Sequence, residues 1–121
     1  MKPIVSVCCV TYNHENFIID CIEGFIKQKT DFEYEVLIHD DASSDGTTRI
    51  VQEYEKKYPE LFRCFYQTEN QFKKQNTLVN ILFKAAKGKY IALCEGDDYW
   101  TDSAKLQKQV DFLEANEEYS Y

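Results

Sequence analysis

Two adjacent carboxylate pairs, Asp40-Asp41 and Asp97-Asp98, each follow a short apolar run. Val36-Leu37-Ile38-His39 leads into the first, and Tyr90-Ile91-Ala92-Leu93-Cys94, followed by Glu95-Gly96, leads into the second. Ionised carboxylates are expensive to bury unless a positive or hydrogen-bonding group meets them, so an apolar run that stops in acids points to a ligand more than to packing. If both runs are parallel strands of one sheet, the acids emerge together at its carboxyl edge, where open α/β sheets bind ligands. Oxygen-only ligands there suit Mg2+ or Mn2+, which is held by one or two carboxylates while substrate phosphates complete the shell. The chemistry implied is a metal-bridged diphosphate, and its structural alternative is a solvated acidic turn before a helix. Asp41-Ala42-Ser43-Ser44-Asp45-Gly46 also partly fits the opening of an EF-hand calcium loop. That fit fails because Gln52 stands where a bidentate Glu is needed and a strand-like run precedes the loop. Ser44 or Asp45 instead caps the following helix, and Gly46 relieves the turn.

The elements that must position these acids alternate regularly. Ile4 to Val10 reads as a buried strand, and Phe17, Ile18, Cys21, Ile22 and Phe25 repeat at helical spacing behind a possible Asn13 cap. Tyr34 to His39 is a second strand. Ile50, Val51, Tyr54 and Tyr58 give the next helix a face before Pro59, and Phe62 to Tyr66 is a weaker third strand. Leu78, Val79, Leu82, Phe83 and Ala86 mark a third helix closed by Gly88, Lys89 to Cys94 returns as a strand, and a last helix runs from about Ser103 to Ala115. The order predicts an α/β fold, a Rossmann-like three-layer sandwich with a mainly parallel sheet and right-handed crossovers. No linker or repeat interrupts it, so residues 1–121 read as a single domain.

Composition narrows the function. A chain of 121 residues with 44% hydrophobic content supports one modest core, and a net charge of −7 argues against a nucleic-acid binder, whose affinity rests on clustered Lys and Arg. Five cysteines show no CxxC spacing, and their apolar neighbours make them buried small hydrophobes in a reducing, cytoplasmic setting. The apolar run at the N-terminus is too short to span a bilayer, which leaves peripheral association at a membrane surface open.

Three segments taken in order resemble the N-terminal, donor-binding half of a family 2 glycosyltransferase of the GT-A fold. They are Ile4-Val5-Ser6-Val7-Cys8-Cys9-Val10-Thr11-Tyr12-Asn13, then Val36 through Thr47, then Ala85-Ala86-Lys87-Gly88-Lys89-Tyr90-Ile91 running into Glu95-Gly96-Asp97-Asp98-Tyr99-Trp100. The resemblance implies a nucleotide-diphospho-sugar donor, with UDP favoured, and Mn2+ or Mg2+ as cofactor. It implies that Thr11 and Tyr12 line the base, that Asp40 hydrogen-bonds the base edge with Asp41 beside it, and that Gly88 belongs to the donor-binding set. Glu95-Gly96-Asp97 matches the DxD-type element: its acids contact the ribose and hold the metal, with Asp97 and Asp98 as the metal ligands. A fixed divalent ion stabilises the charge that develops on the departing diphosphate. A general base, expected beyond Tyr121, would deprotonate an acceptor hydroxyl on a glycan or a lipid-linked or other acceptor, and the sugar would be inverted.

The sequence departs from the family pattern at several points. Glu95 replaces an Asp, Val79-Asn80 stands where an Arg-Asn pair is common, with Lys73 or Lys74 as substitutes, and His39 replaces an aliphatic residue and reads as packing or hydrogen bonding. His14 reads as a surface or capping residue. Tyr99 and Trp100 either shelter the metal or staple the helix start. Two other functions compete: a non-catalytic nucleotide-sugar-binding fragment, and a receiver-type signalling domain, which would need an acidic pair after the first strand where Thr11-Tyr12-Asn13 stands.

Overall fold

The computed structural model describes residues 2–69 and 81–116. Its elements run β1 (Val5–Thr11), α1 (Ile18–Ile26), β2 (Tyr34–Asp40), α2 (Thr47–Lys57), β3 (Phe62–Tyr66), a helical segment over residues 81–85 (α3), β4 (Tyr90–Glu95) and α4 (Lys105–Ala115). The strands form one sheet in the order β3-β2-β1-β4, every pair parallel. The predicted α/β alternation is therefore present, with Leu78, Val79 and the substitute lysines Lys73 and Lys74 outside the described residues.

Side chains alternate across a strand, and each face of the sheet has its own cover. Val5, Val7 and Cys9 of β1 join Val36, Ile38, Phe62, Ala92 and Cys94 in a core closed by Ile18, Ile22 and Phe25 of α1, Val51 of α2 and Leu106 and Val110 of α4. On the opposite face Cys8 and Leu37 pack against Leu82 of α3. Helices on both sides make three layers, the arrangement that a parallel sheet requires because both of its faces must be buried. All five cysteines are free thiols, Cys64 half-buried and the others buried, as their apolar neighbours predict. Burial pushes the Cys8 thiol up to about 12, and contact with Cys9 together with burial raises Cys21 further. Cys8 and Cys21 therefore stay protonated and serve as packing groups.

Two described non-glycine loop residues, Asn13 and Ala42, take left-handed backbone, and the alanine, which lacks asparagine's tolerance for it, carries the strain. Ala42, just after β2, adopts φ 60°, whereas Gly46 lies in ordinary backbone space at φ −80°. The turn that Gly46 is expected to relieve thus falls on an alanine. The left-handed conformation costs an L-residue roughly 1–2 kcal/mol, and a glycine there would give back about 0.4–1 kcal/mol through the greater entropy of the unfolded chain. Ala42→Gly is expected to raise stability by up to about 1 kcal/mol, seen as a higher urea midpoint at unchanged slope. A lowered midpoint would show that the loop gains more from a Cβ at 42 than it loses to strain.

Candidate functional site

The hydrogen-bond ladder carries both acid loops onto the end of β1. Thr11 pairs with Asp40 and Val10 with Glu95 across the sheet. One step further, the Asp41 N–H donates to the Thr11 carbonyl and the Gly96 N–H to the Val10 carbonyl, each at 3.0 Å. β1 lies between β2 and β4, so the two acid loops stand two strand spacings apart, about 10 Å, on the same carboxyl edge. Thr11, Tyr12, Asp40, Asp41, Glu95, Asp97 and Asp98 are all brought to this edge.

Gly88 is not. It precedes Tyr90, which pairs with Val5 at the start of β1, so it lies at the amino edge of the sheet. Its N–H donates to Ser6 Oγ at 2.8 Å, and a Cβ on it would meet Ser6 N at 2.6 Å and Val5 C at 2.7 Å. Gly88 is a packing glycine: β4 rises about 3.3 Å per residue and carries the acids a full strand length away. Nor does it close α3 directly, since the helix ends at residue 85. The same amino edge holds Glu35, a buried carboxylate that the apolar pattern of β2 conceals. Its Oε2 accepts from Ser6 Oγ at 2.6 Å and from the Lys87 N–H at 2.8 Å, and its Oε1 accepts from Arg63 Nη2 at 2.9 Å.

At the carboxyl edge the five acids have different surroundings. Asp40 is buried at 1% exposure on the face of the sheet that α2 covers. Its Oδ1 accepts from Ser43 Oγ at 2.6 Å and its Oδ2 from the Thr48 hydroxyl. Both oxygens thus accept from its own loop and from the first turn of α2, a role that a terminal strand residue facing a helix N-terminus readily acquires. Asp41 is also buried. Glu95, Asp97 and Asp98 are exposed and, with Leu93 and Cys94, line an open pocket of about 460 Å³. A second cavity of about 300 Å³, between β4 and α4, is lined chiefly by apolar side chains such as Val5, Ala92, Leu106 and Phe112 and has no carboxylate. Of the two, only the acidic one offers carboxylates to a ligand.

The loop after β1 is clamped to the start of α2. Asn13, at φ 52°, accepts from the Ser44 N–H at 2.7 Å, and its own N–H donates to Ser43 Oγ at 2.9 Å. Asn13 is thus no cap for α1, whose first turn has no side-chain cap. The N-cap of α2 is Gly46, without a side-chain cap, so the expected cap from Ser44 or Asp45 is absent; Asp45, one residue earlier, instead accepts from the Thr47 N–H at 2.9 Å and closes the turn into the helix. Slight burial works to raise Asp45, but hydrogen bonds from Thr47 and from the Glu15 N–H outweigh it and hold the carboxyl below its usual range.

His14, which the sequence marks only as a surface or capping residue, stands inside the site. Its Nδ1 lies 2.9 Å from Thr11 Oγ1 and its Nε2 lies 3.9 Å from Asp97 Oδ2. The available signal was its spacing, three residues past the strand end that pairs with Asp40. His39 is buried, with Nε2 3.1 Å from Gln67 Nε2, and burial lowers its pKa against the opposing pull of Asp41 and Asp40. It is a packing and hydrogen-bonding residue, as expected. Trp100 packs edge-on against Phe25 of α1 with ring centroids 4.9 Å apart, so it anchors this segment to α1 and is not a staple of α4, while Tyr99 is exposed.

Among the described residues no group of three or more His, Cys, Asp or Glu side chains converges as a closed metal cage. Two adjacent exposed carboxylates at an open pocket still fit Mg2+ or Mn2+, because phosphate and water oxygens supply the remaining positions for these ions. Asp97 and Asp98 are the residues that would hold it.

The family model for glycosyl transferase family 2 matches residues 6–121. An Escherichia coli relative, UDP-Glc:alpha-D-GlcNAc-diphosphoundecaprenol beta-1,3-glucosyltransferase WfaP, is 32% identical over 111 residues, covering 92% of this chain and 41% of its own length. The Staphylococcus aureus TarS 1–349 structure in complex with UDP superposes with TM-score 0.78 at 28% identity, over 93% of this chain and 32% of that one. A mannosyltransferase from Pyrobaculum calidifontis, in complex with GDP-Man and Mn2+, superposes with TM-score 0.79 at 26% identity, over 93% of this chain and 33% of that one. The chain thus spans about a third to two-fifths of the length of these proteins, and its parallel sheet matches the GT-A sheet of the two solved structures. With the match running through almost every residue of β1 to α4, this chain belongs to glycosyl transferase family 2.

Proposed function

We propose that this chain forms the donor-binding part of a glycosyltransferase that takes a sugar from a nucleotide-diphospho-sugar, UDP-linked in the first instance, with a divalent ion on the diphosphate. The observation that carries the reading is the convergence of both acid loops on the end of β1, one on each side of it. Thr11, Tyr12 and Asp41 form the base side. Tyr12 is 39% exposed and offers a ring face for stacking, and Asp40 acts by shaping the loop that presents Asp41. Glu95 serves the ribose, and Asp97 and Asp98 hold the metal.

When bound, the ion neutralises charge on the leaving diphosphate. The protein's own part is to place carboxylates at a fixed edge before the ligand arrives, so that little reorganisation accompanies reaction. The general base that deprotonates the acceptor hydroxyl, and with it inversion at the sugar, is assigned to the acceptor half beyond Tyr121. Residues 1–121 alone would then bind the donor without transferring it. Relatives named for UDP, UDP-Glc and GDP-Man support a nucleotide-sugar donor, and WfaP, whose name specifies a diphosphoundecaprenol-linked acceptor, supports a lipid-linked or polysaccharide acceptor. No described helix is long and apolar enough to cross a membrane. We place the protein in the cytoplasm with peripheral access to such an acceptor.

Titration calorimetry tests this directly. UDP is expected to bind the 121-residue chain at least about tenfold more tightly with Mn2+ than with a chelator, and Asp98→Ala is expected to abolish most of that difference. Equal UDP affinity with and without metal would defeat the assignment.

A further inference from the structure

We propose that His14 is a positioning residue of the acidic pocket, anchored on Thr11 through Nδ1 and directing Asp97 toward the diphosphate through Nε2; this rests on the donor-site reading above. Four contacts immobilise it. Its backbone N–H donates to Thr47 Oγ1 at 2.9 Å, which ties it to the first turn of α2. Its carbonyl accepts from the Phe17 and Ile18 N–H groups at 2.9 and 2.8 Å, which ties it to the start of α1. Nδ1 is held by Thr11, whose side chain is fully buried. Finally the Gly96 backbone lies flat against it, since a Cβ there would come within 2.7 Å of Nδ1.

Only Nε2 remains to act, and it faces Asp97 Oδ2 across 3.9 Å. The arrangement uses the tautomer in which the Thr11 hydroxyl donates to Nδ1, which puts the ring proton on Nε2, the nitrogen nearer the Asp97 carboxylate. The histidine is 22% exposed and the aspartate 48% exposed, so the ring is the fixed partner and the carboxylate the one with room to swing. A loop between β1 and α1 thereby sets the direction of an acid at the end of β4. Outer groups that orient a metal-holding carboxylate typically change metal affinity by about 10–100-fold when removed.

The test separates the two ring nitrogens. His14→Asn keeps a polar atom near the Nδ1 position and the Thr11 contact but removes the group facing Asp97, whereas His14→Gln extends an amide N–H to about the reach of Nε2. Mn2+-dependent UDP affinity of the 121-residue chain is expected to fall about tenfold in His14→Asn, with thermal unfolding unchanged, and to return in large part in His14→Gln. A folded His14→Asn that binds like wild type would overturn the proposal, as would a Gln variant no better than Asn. A ligand-free measurement covers the case of a variant that does not fold. The His14 Nε2 nitrogen resonance of the otherwise native chain is expected to move in Asp97→Ala, and a resonance indifferent to that change would overturn the proposal. Wild type without any metal-dependent UDP affinity would instead defeat the donor-site reading, and this inference with it.

Discussion

Glu35→Ala is expected to lower the unfolding free energy by about 2–4 kcal/mol, because it removes a buried carboxylate on which three donors converge, one of them the partly exposed Arg63. Glu35 is 4% exposed and accepts from Ser6 Oγ, the Lys87 N–H and the Arg63 guanidinium, while Arg63 also donates to the Ala85 carbonyl. The side chain therefore ties β1, β2, β3 and the turn before β4 at one point on the amino edge. Alanine would leave two neutral donors, Ser6 Oγ and the Lys87 N–H, without this acceptor at roughly 1–3 kcal/mol each, while Arg63, 37% exposed, would lose its counter-charge but keep the Ala85 carbonyl and water. For a domain of this size each kcal/mol moves the melting temperature by about 3–5 °C, so thermal unfolding reads the effect easily. The double substitution Glu35→Met with Arg63→Leu is expected to recover part of the loss, since it removes the stranded charge but not the demands of Ser6 and the Lys87 N–H. A single variant that loses less than about 1 kcal/mol would show that water reaches this network and screens it.

Gly96→Ala is expected to cost the site more than the fold. An added Cβ would overlap Thr11 Oγ1 and lie 2.7 Å from both Thr11 Cβ and His14 Nδ1. Thr11 is fully buried and β-branched, and His14 is held on four sides, so neither yields cheaply. The turn itself must move, carrying Asp97 and Asp98 with it. Overpacking of this kind costs about 1–3 kcal/mol of stability, and a displacement near 1 Å at a site of positioned groups costs on the order of 100-fold in function. Calorimetry of UDP with Mn2+ is expected to show binding weakened by that order, with unfolding only modestly earlier. Adding Thr11→Ala should restore stability by making room but not binding, because it also releases His14. Full binding in Gly96→Ala would mean that the acidic turn does not depend on its seat against β1.

The alternation of strands and helices, the parallel sheet and the placing of acids at strand ends were legible in the sequence because each rests on local pattern. β-branched apolar runs such as Ile4 to Val10 bury on both faces, and turn formers such as Asp40 to Gly46 mark where a strand must stop. What each acid does was not legible, because that depends on which face of the sheet its strand register selects. Register turns Asp40 under α2, where Ser43 and Thr48 occupy its oxygens, while the extra turn after β4 leaves Asp97 and Asp98 in the open. Gly88 reads as a donor residue by its motif, yet only the pairing of Tyr90 with Val5 reveals that it lies at the wrong end of the sheet. His14 and Glu35 are the counterpart cases. Each is a single polar letter whose partners come from strands and helices distant in the chain, so long-range packing alone decided that one belongs to the site and the other to the foundation beneath it.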